Sequence, residues 1–228
     1  MKARQTGFTL VEIAIVLVII GLLLGGILKG QEMITQAKIK NVIADMSGVS
    51  AAMYGYQDRY RALPGDDRGA IARWTTGVAP AANNGDGIIE GTYLAATPTE
   101  TAEFWRHLRL AGFVAGTGAE QPFNAVSGRM GVQTGDGTDA TPGPVLASAA
   151  VVGPPAIPAI PGISTLLMCS ANLPDKIAVS VDAQMDDGVG TAGNVRAIRQ
   201  GTPNNPVNAN ANTYVEDGVS TYVVCRQM

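Results

Sequence analysis

The sequence predicts an α+β protein, in which a long N-terminal α-helix precedes a globular head with a small antiparallel sheet. Three observations support this fold class. Residues 8–28 form an apolar run, apolar residues then recur at intervals of three and four as far as Tyr60, and short segments rich in β-branched residues follow in the C-terminal half. We therefore divide the chain into a leader (residues 1–7), a helix (8–61) and a head (62–228).

The apolar run at residues 8–28 has the length of a membrane span, since an α-helix rises about 1.5 Å per residue and the hydrocarbon core is about 30 Å thick. Its single ionisable residue is Glu12. A carboxylate at this depth costs roughly 2.5–3.5 kcal/mol on insertion scales, so Glu12 calls for a functional explanation. Lys2 and Arg4 precede the span, and this charge bias predicts a cytoplasmic leader with the head on the opposite side.

Three other interpretations of this segment fit its pattern less well. A secretory signal peptide has an apolar core of about 7–15 residues and a small-residue cleavage site, whereas this run is longer and ends in Leu28-Lys29-Gly30-Gln31. A plain membrane anchor fits the length but leaves Glu12 unexplained. A buried core helix is disfavoured because the run has no polar face.

The helix is expected to continue beyond the span as an amphipathic segment that ends at the Pro64-Gly65 turn. The alternative is two helices joined near residues 29–31. The apolar positions of the second half are Ile39, Val42, Ile43, Met46, Val49, Met53, Tyr56 and Tyr60.

The junction Gly7-Phe8-Thr9-Leu10-Val11-Glu12, placed between a short basic leader and a long apolar helix, resembles the type IV pilin-like family. The resemblance implies cleavage between Gly7 and Phe8 by a prepilin peptidase/N-methyltransferase, followed by methylation of the new Phe8 amine. It also implies that Glu12 pairs with the amine of a neighbouring subunit and sets the register of a filament, a use to which buried ion pairs are suited.

The partners implied by this resemblance are other pilin subunits, an inner-membrane assembly platform and membrane lipid. The expected location is the bacterial inner membrane, with a single pass and the head in the periplasm, and then a periplasmic or extracellular filament.

In the head, Thr97-Pro98-Thr99-Glu100 has the pattern of a capping box and predicts a helix from Pro98 to Ala111. His107, the one histidine of the chain, lies on it and is expected to be partly exposed. With Glu103 as its one nearby carboxylate, it predicts neither a catalytic nor a metal site.

The segment around Gly85-Asp86-Gly87 fails as an EF-hand, because Ala82 and Tyr93 would occupy positions that need carboxylates, so we interpret it as a tight turn. Residues 177–185 fit a strand or a helix; helix is favoured, partly because the head weakly resembles one branch of uncharacterised prepilin-type proteins. Asp186-Asp187-Gly188 would end this helix as a solvated turn, with a bound cation as the alternative. The predicted strands are residues 164–169, 194–199 and 220–226, and residues 141–162 and 202–213 are predicted loops.

Cys169 and Cys225 are the two cysteines of the chain. With the head outside the cytoplasm, they predict one disulfide, which would tie the C-terminal strand to the body of the head.

The composition supports no nucleic-acid binding, because the chain has a net charge of −3 and no basic patch. We predict no catalytic residues, metal or cofactor, and hence no enzyme. The function expected is a structural subunit, a minor pilin or pseudopilin, of a type IV pilus-like filament. The alternatives are a filament-borne adhesin or tip subunit, and a monomeric membrane-anchored periplasmic domain.

Overall fold

The computed structural model describes residues 10–74, 84–94, 99–135, 145–148, 158–201 and 211–228. The chain divides into two compact units, Met1–Lys38 and Ile39–Met228. The leader and the first two residues of the predicted helix lie outside the described residues.

Helix α1 (Leu10–Tyr60) begins in the first unit and ends in the second. Residues 29–31 are helical, so the alternative of two helices joined there is wrong. The helix ends as predicted: Arg61 adopts a left-handed conformation with φ 57°, and Gly65 in the following turn has φ 93°. By length and composition, α1 is the one helix in the described part of the chain that could cross a membrane.

The second unit contains three further helices and a sheet among its described residues. The helices are α2 (Ala70–Arg73), α3 (Glu100–Leu110) and α4 (Asp175–Met185), and the strands are β1 (Met130–Thr134), β2 (Leu166–Pro174), β3 (Val195–Arg199) and β4 (Thr221–Gln227). The strands pair antiparallel in the order β1-β2-β4-β3, so the predicted α+β class is confirmed.

Both faces of the sheet are covered, because successive residues of the central strands enter two different cores. In β4, Tyr222 and Val224 pack with the helices, whereas Val223 and Cys225 pack in a second cluster with Leu146 and other loop residues. This alternation is what the two-residue repeat of a strand requires. The helical side of the sheet is covered by seven buried residues of the second half of α1. Ala52 was not predicted; the other six lie at predicted positions, namely Ile39, Val42, Met46, Val49, Met53 and Tyr56. The predicted positions Ile43 and Tyr60 are partly buried.

The sequence pattern located β3 and β4 to within one residue but missed β1 and the second half of β2. Strand β1 contains Gly131 and the fully buried Gln133, neither of which is typical of a strand. A Cβ at residue 131 would lie 2.2 Å from the Tyr93 carbonyl oxygen, so this close approach requires glycine. In β2, a shift of register follows Ser170, and Asn172 has φ 56°.

The predicted loop at residues 141–162 is not wholly irregular. Antiparallel bridges join Val145 to Ile163 and Ser148 to Ile160, and Leu146 is fully buried. Residues 141–144 and 149–157 of this loop, and residues 202–210 of the second predicted loop, lie outside the described residues.

Candidate functional site

The first half of α1 exposes an apolar surface with one carboxylate in its first turn. Leu10 is 91% exposed and Leu22 is 73% exposed, and Glu12 is exposed beside them. The other exposed large apolar residues before Lys29 are Val11, Ile13, Ile15, Val16, Leu17, Val18, Ile19, Ile20, Leu23, Leu24, Ile27 and Leu28. Such a surface is far larger than the apolar patches of a typical soluble monomer, so lipid or other helices must cover it.

Three glycines lie on this surface. A Cβ built on Gly21, Gly25 or Gly26 would meet nothing within 4 Å outside the helix itself. Packing among the described residues therefore does not require glycine at these three positions. Small residues on an apolar helix let a second helix approach closely, so these positions favour helix–helix contact.

The N-terminal segment matches a known family motif. Residues 2–28 match the model of the prokaryotic N-terminal methylation motif. The chain carries the prepilin signature of type IV pilins and pseudopilins. The matched range includes Gly7, Phe8 and Glu12; Gly7 and Phe8 lie outside the residues that the structure describes. No curated protein and no solved structure matches the chain.

The prepilin signature implies processing by a prepilin peptidase and assembly with other pilins. Together with the apolar first half of α1, it fits anchoring in a membrane. The signature ends at residue 28 and does not extend into the head.

A buried polar network connects the end of α1 to α2 and α3. Tyr56 donates a hydrogen bond to Asp67 Oδ2 over 2.7 Å, and Arg73 pairs with the same carboxylate. The His107 ring stacks on Tyr56 with ring centroids 6.1 Å apart, and its Nδ1 accepts a hydrogen bond from the Gly65 amide. The expectation that His107 is partly exposed is wrong, because its side chain is fully buried. Its contacts come from distant parts of the sequence: Tyr56 on α1, and Gly65 in the turn after α1, 42 residues away.

His107 is held neutral by this environment. Burial lowers its pKa to about 4; the negative charge of Asp67 opposes this shift, and the charges of Arg73 and Arg106 add to it. Glu103, one turn earlier on α3, is fully buried and pairs with Arg106 over 2.8 Å, while its second oxygen lies 3.9 Å from His107 Nε2. These contacts give His107 a structural role.

Two further buried carboxylates hold the turn at residues 84–90, and sequence reasoning missed both. Asp66 accepts hydrogen bonds from the amides of Gly85 and Gly87, and Glu100 accepts from the amide of Glu90 over 3.0 Å. The predicted tight turn is present, since Gly85 and Gly87 both have positive φ. Asp66 and Glu100 are far apart in the sequence, and no local pattern indicates that both bind the same turn.

The charge on Glu100 is costly at this position, and we expect the stability of the protein to fall as the pH rises from about 4.5 to 8. Burial raises the pKa of Glu100 to about 8, with smaller contributions from the negative charges of Asp66 and Glu90. The folded state therefore keeps a proton that the unfolded chain loses near pH 4.5, and this stabilisation disappears as the pH rises through 8.

The measurement is urea unfolding of the full chain in detergent at several pH values, with Glu100→Gln as the comparison. The variant loses one acceptor for a backbone amide, so it should be less stable at low pH. Its free energy of unfolding should, however, decline less between pH 5 and 8 than that of the wild type. Parallel pH profiles for the two proteins would contradict the assignment to Glu100.

Proposed function

We propose that this protein is a structural subunit, a minor pilin or a pseudopilin, of a type IV pilus-like filament that is assembled from the inner membrane after cleavage of the leader. The observation that carries the proposal is Glu12 on the exposed apolar surface of α1, within the matched motif. In the membrane, lipid covers this surface before assembly. In the filament, the same surface of other subunits replaces the lipid.

In this proposal, Glu12 fixes the axial position of the helix relative to that of the adjacent subunit. Cleavage between Gly7 and Phe8 creates an amine whose positive charge is as poorly solvated by lipid as the carboxylate of Glu12. The two charges on adjacent subunits neutralise one another only when the helices are at the correct axial offset. Such a pair contributes specificity of alignment more than raw stability.

The disulfide supports the placement of the head outside the cytoplasm. Cys169 and Cys225 are joined in the structure, as predicted from the sequence. Disulfides persist in oxidising compartments such as the periplasm and are rare in the cytosol. This agrees with the cytoplasmic leader that Lys2 and Arg4 indicate, so both features support the same orientation.

The head also favours a low-copy subunit over a major one. The predicted loops at residues 141–162 and 202–213 interrupt it, and aromatic residues make up 5% of the chain. A major subunit packs many identical heads side by side and is expected to be more compact. Long insertions suit a subunit that is present at few positions in the filament.

The N-terminus of the mature protein tests the processing step. We expect mass spectrometry of the protein purified from membranes to show a chain that begins at Phe8 and carries one additional methyl group. The control is expression in cells that lack the prepilin peptidase, in which the chain should still begin at Met1. A mature chain that keeps the leader, or that begins after Gly30, would contradict the proposal.

A further inference from the structure

Three carboxylates converge where α4 ends. Asp182 lies in the last turn of the helix, Asp186 is its C-cap, and Asp187 follows. Asp182 and Asp186 are four residues apart and therefore share one face of the helix. One oxygen from each of the three residues lies within 4.8 Å of the other two. Ca²⁺ binds carboxylate oxygens at 2.3–2.6 Å, so oxygens at these separations can contact a single ion.

Asp182 provides an independent indication of a ligand, because one of its oxygens is buried without a hydrogen bond. The residue is 0% exposed, and its Oδ2 accepts a hydrogen bond from the Tyr214 hydroxyl over 2.8 Å. The Gly188 amide also donates a backbone hydrogen bond to this carboxylate, but Oδ1 itself has no hydrogen-bond partner among the described residues. A buried oxygen of this kind costs free energy unless a cation or donor meets it.

The other two carboxylates are held in place by the loop that leads to β3. Asp186 Oδ2 accepts hydrogen bonds from the amides of Asn194 and Val195, and Asp187 Oδ1 accepts from Val189 over 2.8 Å. Both residues are exposed, so an ion can reach the cluster from solvent.

The arginine that follows on β3 does not neutralise this cluster by direct contact. Arg196 is oriented by three carbonyl oxygens, to which its N–H groups donate; these belong to Gly193, Leu146 and Pro161. Among the described residues, no ion pair within 4.0 Å joins Arg196 to Asp182, Asp186 or Asp187. Arg196 still lies close enough to Asp186 and Asp187 for their charges to act on it, so it offsets part of the negative charge. Three carboxylates beside one guanidinium leave negative charge that an external cation can meet.

We propose that Asp182, Asp186 and Asp187 form a Ca²⁺ site that ties the end of α4 to the start of β3. An all-oxygen donor set selects hard cations, and the absence of sulfur and nitrogen ligands from the cluster disfavours Zn²⁺. Ca²⁺ fits better than Mg²⁺, because it tolerates irregular geometry and completes its shell with water, whereas Mg²⁺ demands a near-ideal octahedron. The sequence alone predicted a solvated turn, since it gives no sign that Asp182 is buried or that Tyr214, 32 residues away, donates a hydrogen bond to it.

The test is a CaCl2 titration of the full chain in detergent, followed by calorimetry and by thermal unfolding. We expect saturable binding of one Ca²⁺ per chain, a rise of the unfolding temperature with Ca²⁺, and binding of Mg²⁺ that is weaker by about tenfold or more. Asp187→Asn keeps the oxygen that accepts from Val189 and should fold normally without Ca²⁺, yet bind Ca²⁺ at least about tenfold more weakly.

Asp58→Asn is the matched control, because Asp58 is an acidic residue with an 83% exposed side chain in the same chain. It should bind Ca²⁺ as the wild type does. Asp182→Asn should abolish the effect of Ca²⁺ on the unfolding temperature. The proposal is overturned if millimolar CaCl2 produces neither heat nor a thermal shift, or if Asp187→Asn binds Ca²⁺ as tightly as the wild type.

Discussion

Replacing Glu12 by Ala is expected to leave the protein inserted in the membrane and to abolish its incorporation into filaments. The carboxylate costs roughly 2.5–3.5 kcal/mol to insert, so its removal makes the span more favourable in lipid. The substitution removes the carboxylate that neutralises the Phe8 amine of the adjoining subunit. That amine would then be buried without a counter-charge, and leaving one member of a buried pair alone costs about 3–5 kcal/mol. This penalty applies wherever residue 12 of this subunit faces the amine of a neighbour, so incorporation of the variant into the filament should fail.

The measurement is the fraction of the protein recovered in sheared filaments, relative to the amount in the membrane. Glu32→Gln is the matched control, because Glu32 is an exposed glutamate on the same helix that pairs with Lys29 over 2.7 Å beyond the apolar run. It should incorporate normally. Glu12→Gln keeps a hydrogen-bonding side chain without the charge, and it should resemble Glu12→Ala if charge neutralisation is the reason. Normal incorporation of Glu12→Ala would show that Glu12 does not set the register.

The elements that the sequence predicted well are those whose pattern is local. Helix α1 follows from an apolar run and a three-to-four repeat with no proline before Pro64, and β4 follows from β-branched residues beside a cysteine. Helix α4 was favoured partly by a resemblance, and the structure confirms it at Asp175–Met185. Each of these segments carries its own signal over several consecutive residues.

The elements that escaped prediction depend on contacts between distant residues. Buried His107 accepts a hydrogen bond from Gly65, and buried Asp182 accepts one from Tyr214. Strand β1 is stabilised by its neighbours, since the side chain of Gln133 accepts a hydrogen bond from the Tyr93 amide. No periodicity within a single segment contains this information, so charged and amide side chains that look solvated in the sequence can be buried in the fold.

Removing the disulfide is expected to lower the stability of the head by about 4 kcal/mol. Cys169 and Cys225 are separated by 56 residues, and cross-linking a loop of this length removes conformational entropy from the unfolded chain. The register of β2 and β4 already places the two cysteines directly opposite each other. The sheet would therefore retain its pairing without the bond, and the loss should come mainly from a less restricted unfolded state.

The experiment compares Cys169→Ala/Cys225→Ala with the oxidised and the reduced wild type, by urea unfolding of the full chain in detergent. Reduced wild type is the matched control, because it keeps both sulfur atoms in the fully buried core and changes only the covalent link. With a urea dependence near 2 kcal/mol/M, its midpoint should fall by about 2 M. The double variant should fall somewhat further, because it also leaves a small cavity. Equal midpoints for oxidised and reduced protein would mean that sheet pairing and core packing alone hold β4 in place, and that the restricted unfolded state contributes nothing measurable.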